Sequence, residues 1–441
     1  MQYSPARRTA LVLCGTGAHG AYHAGVLRAL QEAGVKIDIV AGQGVGAAGA
    51  VLAAIDGASR LWEATGIWRA PSSASFYSWT LPVRIVRWAS IQLCAALIVL
   101  LAFLMGGGAV VPLLARALLT IVVGSALVVA ATIVFARWRP RAGKRRAAGN
   151  AWWGVAGAPF DPNPAIQAFS AAVWQLIRGA SRDSQPTREA GRRYAEVLGE
   201  NLGQPGFREL MIIATDLDSR SDVVAAMLRE PYRREFIAPR PGRERRAEAL
   251  DLAGLGRDHA FDVMNAALTP PVACEPRLVT FAPDGYWRGE THRLCDRSGS
   301  IIRLFEELAA AAVSQLIVVT AVPASTVPHR LRVPRLDARS RLGEFIAAAE
   351  AASLRDAMDH ALLRFDSCYV ICPSHNPVGP FDFIGAYDDA SDRRHSTAEL
   401  MERAYEDAYH QFIEPVVGAS GEMIAHGSRH GDRSRGLPEA N

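Results

Sequence analysis

The sequence has little net charge and few cysteines. Its 48 basic and 44 acidic residues leave a net charge of +4 over 441 residues, too small an excess to indicate nucleic-acid binding. Only Lys36 and Lys144 are lysines, which we interpret as genome composition. The six cysteines lack disulfide-framework spacing, so we expect a reducing compartment. Aromatic residues at 8% and charged residues at 21% exclude disordered, collagen-like and coiled-coil proteins.

Charged residues are missing altogether from two long stretches. Residues 89–115 and 117–136 contain none, and each has the roughly 20 helical residues that cross a hydrocarbon core of about 30 Å. Glycines at 106–108 and Pro112 lie near the end of the first stretch and predict a tight turn before the second. The segment 81–146, with spans at about 89–108 and 117–136, is therefore predicted to be a transmembrane hairpin. A buried helical hairpin in a soluble core is the alternative.

The flanks of this segment are basic on both sides. Arg84 and Arg87 precede the first stretch, and six basic residues follow the second between 137 and 146. The positive-inside rule then predicts an anchor in the cell inner (cytoplasmic) membrane, with the remaining chain facing the cytoplasm. The same basic residues suit anionic lipid headgroups, with a nucleic-acid patch as the alternative. The apolar run at residues 10–14 is too short for a signal-peptide core, so we expect no leader.

Outside the hairpin, short apolar stretches alternate with segments of helical periodicity. This alternation predicts an α/β fold with a mostly parallel central sheet and helices on both faces. The hairpin divides the domain into residues 1–80 and 147–417, and a polar tail at 418–441 is expected to be disordered. The predicted strands are 10–13, 37–41, 210–214, 316–322 and 368–372, and the main predicted helices are 18–33, 47–55, 187–202 and 342–363.

Two glycine-rich loops follow the first two strands. Residues 15–20 read G-T-G-A-H-G before a helix, a pattern that lets backbone amides meet an anion. A dinucleotide site would also need an acidic residue near the end of the second strand, but Asp38 lies at its start. Residues 42–46 read G-Q-G-V-G, the glycine spacing and strand–turn–helix context of a G-x-S-x-G nucleophile elbow.

Together these motifs make the sequence similar to bacterial patatin-like phospholipases. That family begins with a strand, an oxyanion loop G-G-G-x-[RK]-G and a helix reading G-V-L, which residues 15–27 resemble, and its elbow follows about 25 residues later. The resemblance covers most of residues 8–410 apart from the hairpin. It implies a patatin-like fold, phospholipid or other acyl-ester substrates, and neither cofactor nor metal. The further matching stretches are 211–217, 266–271, 294–298, 373 and 381–383.

The resemblance also implies which residues form the site. Patatin-like enzymes use a Ser–Asp dyad in which the aspartate is the base. The matching aspartate is Asp296, for which an ordinary loop residue is the alternative, and Asp284 begins a competing D-G pair. The nucleophile position falls on Gly44. The implied oxyanion loop is Gly15, Thr16, Gly17 and Gly20, and the elbow glycines are Gly42 and Gly46.

The sequence departs from the family where the chemistry would occur. Gly44 offers no side chain to attack an ester, and Thr16, His19 and Arg297 also replace family residues. Four departures at one site predict a pseudoenzyme that binds lipid at the membrane. The alternative is an active acyl hydrolase whose nucleophile is Cys14 or a directly activated water. For Cys14 the other interpretation is a buried structural residue.

Three other interpretations stay open. His19 and His23 are spaced i,i+4 as in zinc sites, and Cys368, Cys372 and His375 form a second possible ligand group, although buried structural residues explain both. A nucleotide-binding or purely structural membrane protein is a third hypothesis. Small residues in the hairpin are also suited to packing against a second copy, so the oligomeric state stays open.

Overall fold

The computed structural model describes residues 3–106, 111–138, 157–179, 187–239, 248–322, 337–374, 378–387 and 394–418. The predicted tail lies outside the described residues from 419 onward, and so do most of the basic residues after the hairpin. The chain divides into two compact units. The first comprises residues 1–76, 162–271 and 276–441, and the second comprises 77–161 and 272–275.

The strands of the first unit form a nine-stranded sheet and a separate two-stranded sheet. The strands in chain order are β1 Thr9–Gly15, β2 Ile39–Gly44, β3 Ser78–Trp79, β4 Phe160–Asp161, β5 Glu209–Asp216, β6 Ser221–Met227, β7 Ala249–Asp251, β8 Arg277–Thr280, β9 Thr291–Cys295, β10 Gln315–Thr320, β11 Ser367–Ile371, β12 Ala386–Tyr387 and β13 Arg394–His395. β12 and β13 make up the two-stranded sheet, and most of the other strands belong to the nine-stranded sheet. Its main path runs β11-β10-β1-β2-β5-β6-β7, and β9 pairs with both β5 and β8. The pairs from β11 to β5 are all parallel, whereas β6 and β9 run antiparallel to β5. The sheet is therefore mostly parallel, as predicted.

Helices cover both faces of this sheet. Alternate residues of a strand point to opposite faces, and β1 is buried at every position, so both of its faces are covered. On one face, Ala10 and Val12 of β1 belong to a buried cluster that also contains Leu304 and Ala357 from two helices. On the other face, Leu13 packs against the second helix. The helices in chain order are α1 His19–Glu32, α2 Val45–Ala54, α3 Leu81–Gly106, α4 Val111–Trp138, α5 Asn163–Ile177, α6 Thr187–Asn201, α7 Tyr232–Ile237, α8 Ala260–Ala267, α9 Ile301–Ala310, α10 Ala338–Arg364 and α11 Thr397–Ala408, followed by a π-helix Tyr409–Gly418.

The second unit consists mainly of α3 and α4, which lie side by side. The Ser125 hydroxyl donates to Gln92 Oε1 at 3.3 Å between them, and the short strands β3 and β4 pair antiparallel. By length and composition, one helix among the described residues, Leu81–Val99, could cross a membrane, and the apolar helix Arg116–Ala131 is shorter. Part of the predicted glycine turn, from 107 onward, lies outside the described residues. A membrane-spanning hairpin therefore stays a prediction.

Candidate functional site

The second glycine loop forms a sharp strand-to-helix turn at residue 44. β2 ends at Gly44 and α2 begins at Val45, with no connecting loop. Gly44 has φ 63° and ψ −134°, a region that is strained for residues with a side chain. A nucleophile elbow requires the same kind of strained turn. The backbone therefore keeps an elbow although the side chain is absent.

The first loop occupies the space where a side chain at residue 44 would stand. β1 and β2 pair in parallel, with Gly15 opposite Gly44. A Cβ built on Gly44 would overlap the Gly15 carbonyl oxygen and would lie 3.0 Å from Asp296 Oδ2. Because the overlap involves backbone, the loop at residues 15–17 must shift before any side chain fits here.

Sheet pairing brings Asp296 to this position from a distant part of the sequence. β2 pairs with β5 only as far as Ile212, and β9 pairs with β5 further along, at Thr215 and Asp216. Asp216 Oδ2 accepts a hydrogen bond from His292 Nδ1 at 2.5 Å, which ties β9 to β5. Asp296 directly follows β9, and only 2% of its surface is exposed.

Both carboxylate oxygens of Asp296 are engaged by neighbouring side chains. Gln43 Nε2 donates to Oδ1 at 2.6 Å, and the Thr16 hydroxyl donates to Oδ2 at 3.0 Å. Burial raises the pKa of Asp296 to about 7, and these two hydrogen bonds offset only part of that effect. Thr16, one of the departures from the family pattern, thus contacts the aspartate that the resemblance identifies as the base.

A second group of buried polar residues lies beside the elbow. His19 Nδ1 is 3.2 Å from Glu350 Oε2, but the two atoms are not aligned for a hydrogen bond. His23 Nε2 contacts the Cys14 carbonyl at 3.0 Å, and burial lowers the pKa of His23 to about 3. Glu350, Cys14 and Gln43 line a cavity that has room for about one water molecule. An acyl chain does not fit in this cavity.

The segment 378–383, which we call the strap, covers the first loop. The Ala18 amide donates to the Pro380 carbonyl oxygen at 2.8 Å, and His19 Nε2 contacts the Val378 carbonyl at 3.1 Å. Phe383 stacks on Trp68, with ring centroids 6.4 Å apart. An amide of the loop that would hold an oxyanion is therefore already bonded to the chain itself.

The structure brings the predicted residues of the two loops together and places the others apart. Gly15, Thr16 and Gly17 lie in the first loop, Gly20 lies in α1, and Gly42 and Gly46 flank the turn at Gly44. Asp284 precedes β9, whereas Asp296 follows it, so they lie at opposite ends of this strand. Arg297 turns away from Asp296 and pairs with Asp222 at 2.5 Å.

The remaining candidates have structural explanations in this environment. Burial raises the pKa of the Cys14 thiol far above its usual range, so it is not a thiolate at neutral pH. Among the described residues no group of three or more metal-ligating side chains occurs, and His375 lies outside them. Gln43 and Glu350 were missed as site residues because Gln43 has no nucleophilic group and Glu350 lies within a long helix without a motif.

Comparison with known proteins agrees with the fold. A family model described as Patatin-like phospholipase matches residues 11–236, slightly more than half of the chain. No curated protein matches the sequence. Among solved structures, VipD from Legionella pneumophila is similar at 11% sequence identity and a TM-score of 0.31. The alignment covers 92% of this chain and 66% of VipD, so the chain spans just under two thirds of that protein.

Proposed function

We propose that this chain, which belongs to the patatin-like phospholipase family, is a pseudoenzyme that binds lipid at the membrane without hydrolysing it. The observation that carries the proposal is Gly44 at the turn of the elbow. Covalent acyl transfer needs a nucleophilic side chain within reach of its base. At this turn Gly44 presents no side chain to the base position, Asp296, whose carboxylate oxygens accept hydrogen bonds from Thr16 and Gln43 instead.

The closed first loop supports the same proposal. Ester hydrolysis needs hydrogen-bond donors aimed at the developing oxyanion. The Ala18 amide already donates to Pro380, and the Gly15 carbonyl, an acceptor, occupies the space beside Asp296. A substrate carbonyl would have to displace the strap and reorient the loop before it could react.

The apolar surface of the second unit supports attachment to a membrane. Large apolar side chains of α3 and α4 are exposed, among them Ile98 and Leu127, which is unfavourable in water over so large an area. Arg84 and Arg87 lie at the start of α3, and basic residues follow α4 in the sequence. We therefore propose an anchor in the inner (cytoplasmic) membrane, with both ends of the hairpin on the cytoplasmic side. A second copy as a partner stays open.

Fatty-acid release from mixed phospholipid–detergent micelles tests the loss of hydrolysis. We expect no release above background by the unchanged chain, nor by Gly44→Ser, because the loop leaves no room for the hydroxyl. If only Gly44→Ser releases fatty acid, the unchanged chain is still a pseudoenzyme. That result would show, however, that the first loop opens readily. Release by the unchanged chain would refute the proposal.

An active hydrolase that uses a directly activated water is the second candidate. The raised pKa of Asp296, about 7, suits a general base near neutral pH. This mechanism requires that the unchanged chain releases fatty acid and that Asp296→Asn abolishes this release. The exposed Asp284 provides the matched control, since Asp284→Asn should leave such activity intact.

A further inference from the structure

The two long helices of the second unit enclose an open groove. Its volume is about 880 Å³, within the range of small-molecule sites. Residues from both helices line it between Leu81 and Val99 on α3 and between Ala117 and Val128 on α4. At 1.5 Å per residue the α3 side is about 27 Å long, longer than one leaflet of a bilayer, roughly 15 Å of hydrocarbon.

The polarity of the groove changes along its length. Arg84 lines one end, Gln92 and Ser125 lie about 12 Å further along, and the rest of the lining is small or apolar. Gln92, which lines the groove, accepts through Oε1 from Ser125, and this bond leaves its amide protons available to donate to a ligand. In a bilayer an amide without a partner is unfavourable, so a ligand acceptor at this depth would stabilise the site.

The charge of the surrounding sequence favours an anion at the Arg84 end. No aspartate or glutamate occurs between Glu63 and Asp161, so no acidic residue of the hairpin can neutralise Arg84. The hairpin of a second copy would bring the same arginine and no carboxylate into the groove. A ligand with a phosphate, an ester carbonyl and an acyl chain matches the three zones in order.

We propose that this groove binds one molecule of an anionic phospholipid. Arg84 binds the phosphate, the Gln92 amide donates to an ester carbonyl, and one acyl chain lies along Ala96 and Ile121. The inference rests on the proposed function, because it takes the hairpin to lie in a membrane. It places lipid recognition in the helical hairpin instead of at the closed elbow.

Lipid selectivity of the full chain tests the role of Arg84. The chain is purified in detergent, phosphatidylglycerol or phosphatidylcholine is titrated, and bound lipid is counted by native mass spectrometry. We expect tighter binding of phosphatidylglycerol, and we expect Arg84→Gln to reduce that preference about fivefold. Arg87 is exposed on the same helix but does not line the groove, so Arg87→Gln should keep the preference. Equal losses in both variants, or no loss in either, would overturn the proposal.

Filling the groove tests where the acyl chain lies. A Cβ on Gly124 would meet no atom within 4 Å, so Gly124→Leu should occupy the groove without distorting the helix. It should weaken binding of both lipids, whereas Val123→Leu, at an exposed position outside the groove, should not. Unchanged lipid binding by Gly124→Leu would overturn the proposal, whether or not this variant also changes the protein from a dimer to a monomer. Such a change would identify a second copy as the occupant.

Flotation of the same proteins with liposomes separates this inference from the proposed function. A chain that floats with phosphatidylcholine and phosphatidylglycerol liposomes but shows no selectivity in the titration refutes the groove site alone. A chain that does not float at all refutes the membrane attachment on which both proposals depend.

Discussion

At residue 44 the backbone keeps the conformation of an elbow while the reactive side chain is missing. A residue with a side chain in such a region costs of order 1–3 kcal/mol, and glycine avoids this strain. Loss of the nucleophile in well-studied triads reduces the rate by about 10⁶. A glycine at this position therefore removes the nucleophile of the elbow and avoids strain in the backbone.

Adding a Cβ at residue 44 should destabilise the protein. Gly44→Ala and Gly44→Ser should each lower the free energy of unfolding by at least about 1–3 kcal/mol, because the strain adds to the overlap with Gly15. Gly34 has the same φ of 63°, and a Cβ there would meet no atom within 4 Å. Gly34→Ala should therefore cost less in a denaturant titration. Equal costs at the two positions would show that the first loop gives way freely.

Asp296 should make stability fall as the pH rises. Its pKa is about 7 in the folded protein against an ordinary value of 3.8, so between about pH 4 and 7 the folded state holds a proton that the unfolded chain has released. Asp296→Asn removes this contribution, and the variant should gain stability relative to the unchanged chain from pH 5 to 7. Asp284→Asn is the control and should run parallel to the unchanged chain in denaturant titrations. Parallel curves for Asp296→Asn would contradict the buried, protonated state.

At the scale of elements, the sequence predicted the buried core better than its edges. β1, β2, β5, β10 and β11 are continuous apolar runs, which is why their positions could be predicted. β9 alternates exposed and buried residues and carries His292 and Arg293, so a search for apolar runs misses it. The approach of Asp296 to Gly44 depends on that strand, and only the family resemblance pointed to it.

The strap is anchored by aromatic side chains, and the family resemblance marked residues 381–383 without indicating that they cover the first loop. Phe383 packs on Trp68 and on Phe76, so Phe383→Ala should destabilise the protein by about 3–5 kcal/mol and loosen the strap. We expect faster hydrogen exchange at the Ala18 amide, which donates to Pro380. Ile384 is adjacent but 64% exposed, and Ile384→Ala should leave that exchange rate unchanged. Equal protection of Ala18 in both variants would contradict the role of Phe383 as an anchor.

At the scale of the whole molecule, the chain combines a patatin-like unit with an apolar hairpin. The uncharged stretches 89–115 and 117–136 made the two helices predictable from hydropathy alone. The groove between them was not predictable, because it depends on how Gln92 and Ser125 set the two helices against each other. The sequence likewise gave no sign that the first loop is closed, since the contact with Pro380 joins residues far apart in the chain.

A charge on the apolar surface of the hairpin should weaken membrane attachment. Leu127 lies near the middle of the second uncharged stretch and is 64% exposed. Leu127→Arg should be opposed by about 2.5–3.5 kcal/mol at the centre of a bilayer, so more protein should be released by alkaline carbonate washing of membranes. Leu255 in the first unit has the same 64% exposure, and Leu255→Arg should stay in the pellet. Equal retention of both variants would contradict insertion of the hairpin.

The chemical state of lipid bound to the full chain tests the central claim most directly. The purified protein is incubated with a labelled diacyl phospholipid, isolated with its bound lipid, and the lipid is extracted and identified. We predict that the recovered lipid is intact diacyl phospholipid. Lysophospholipid and free fatty acid in molar excess over the protein would contradict the account, and so would the absence of any bound lipid.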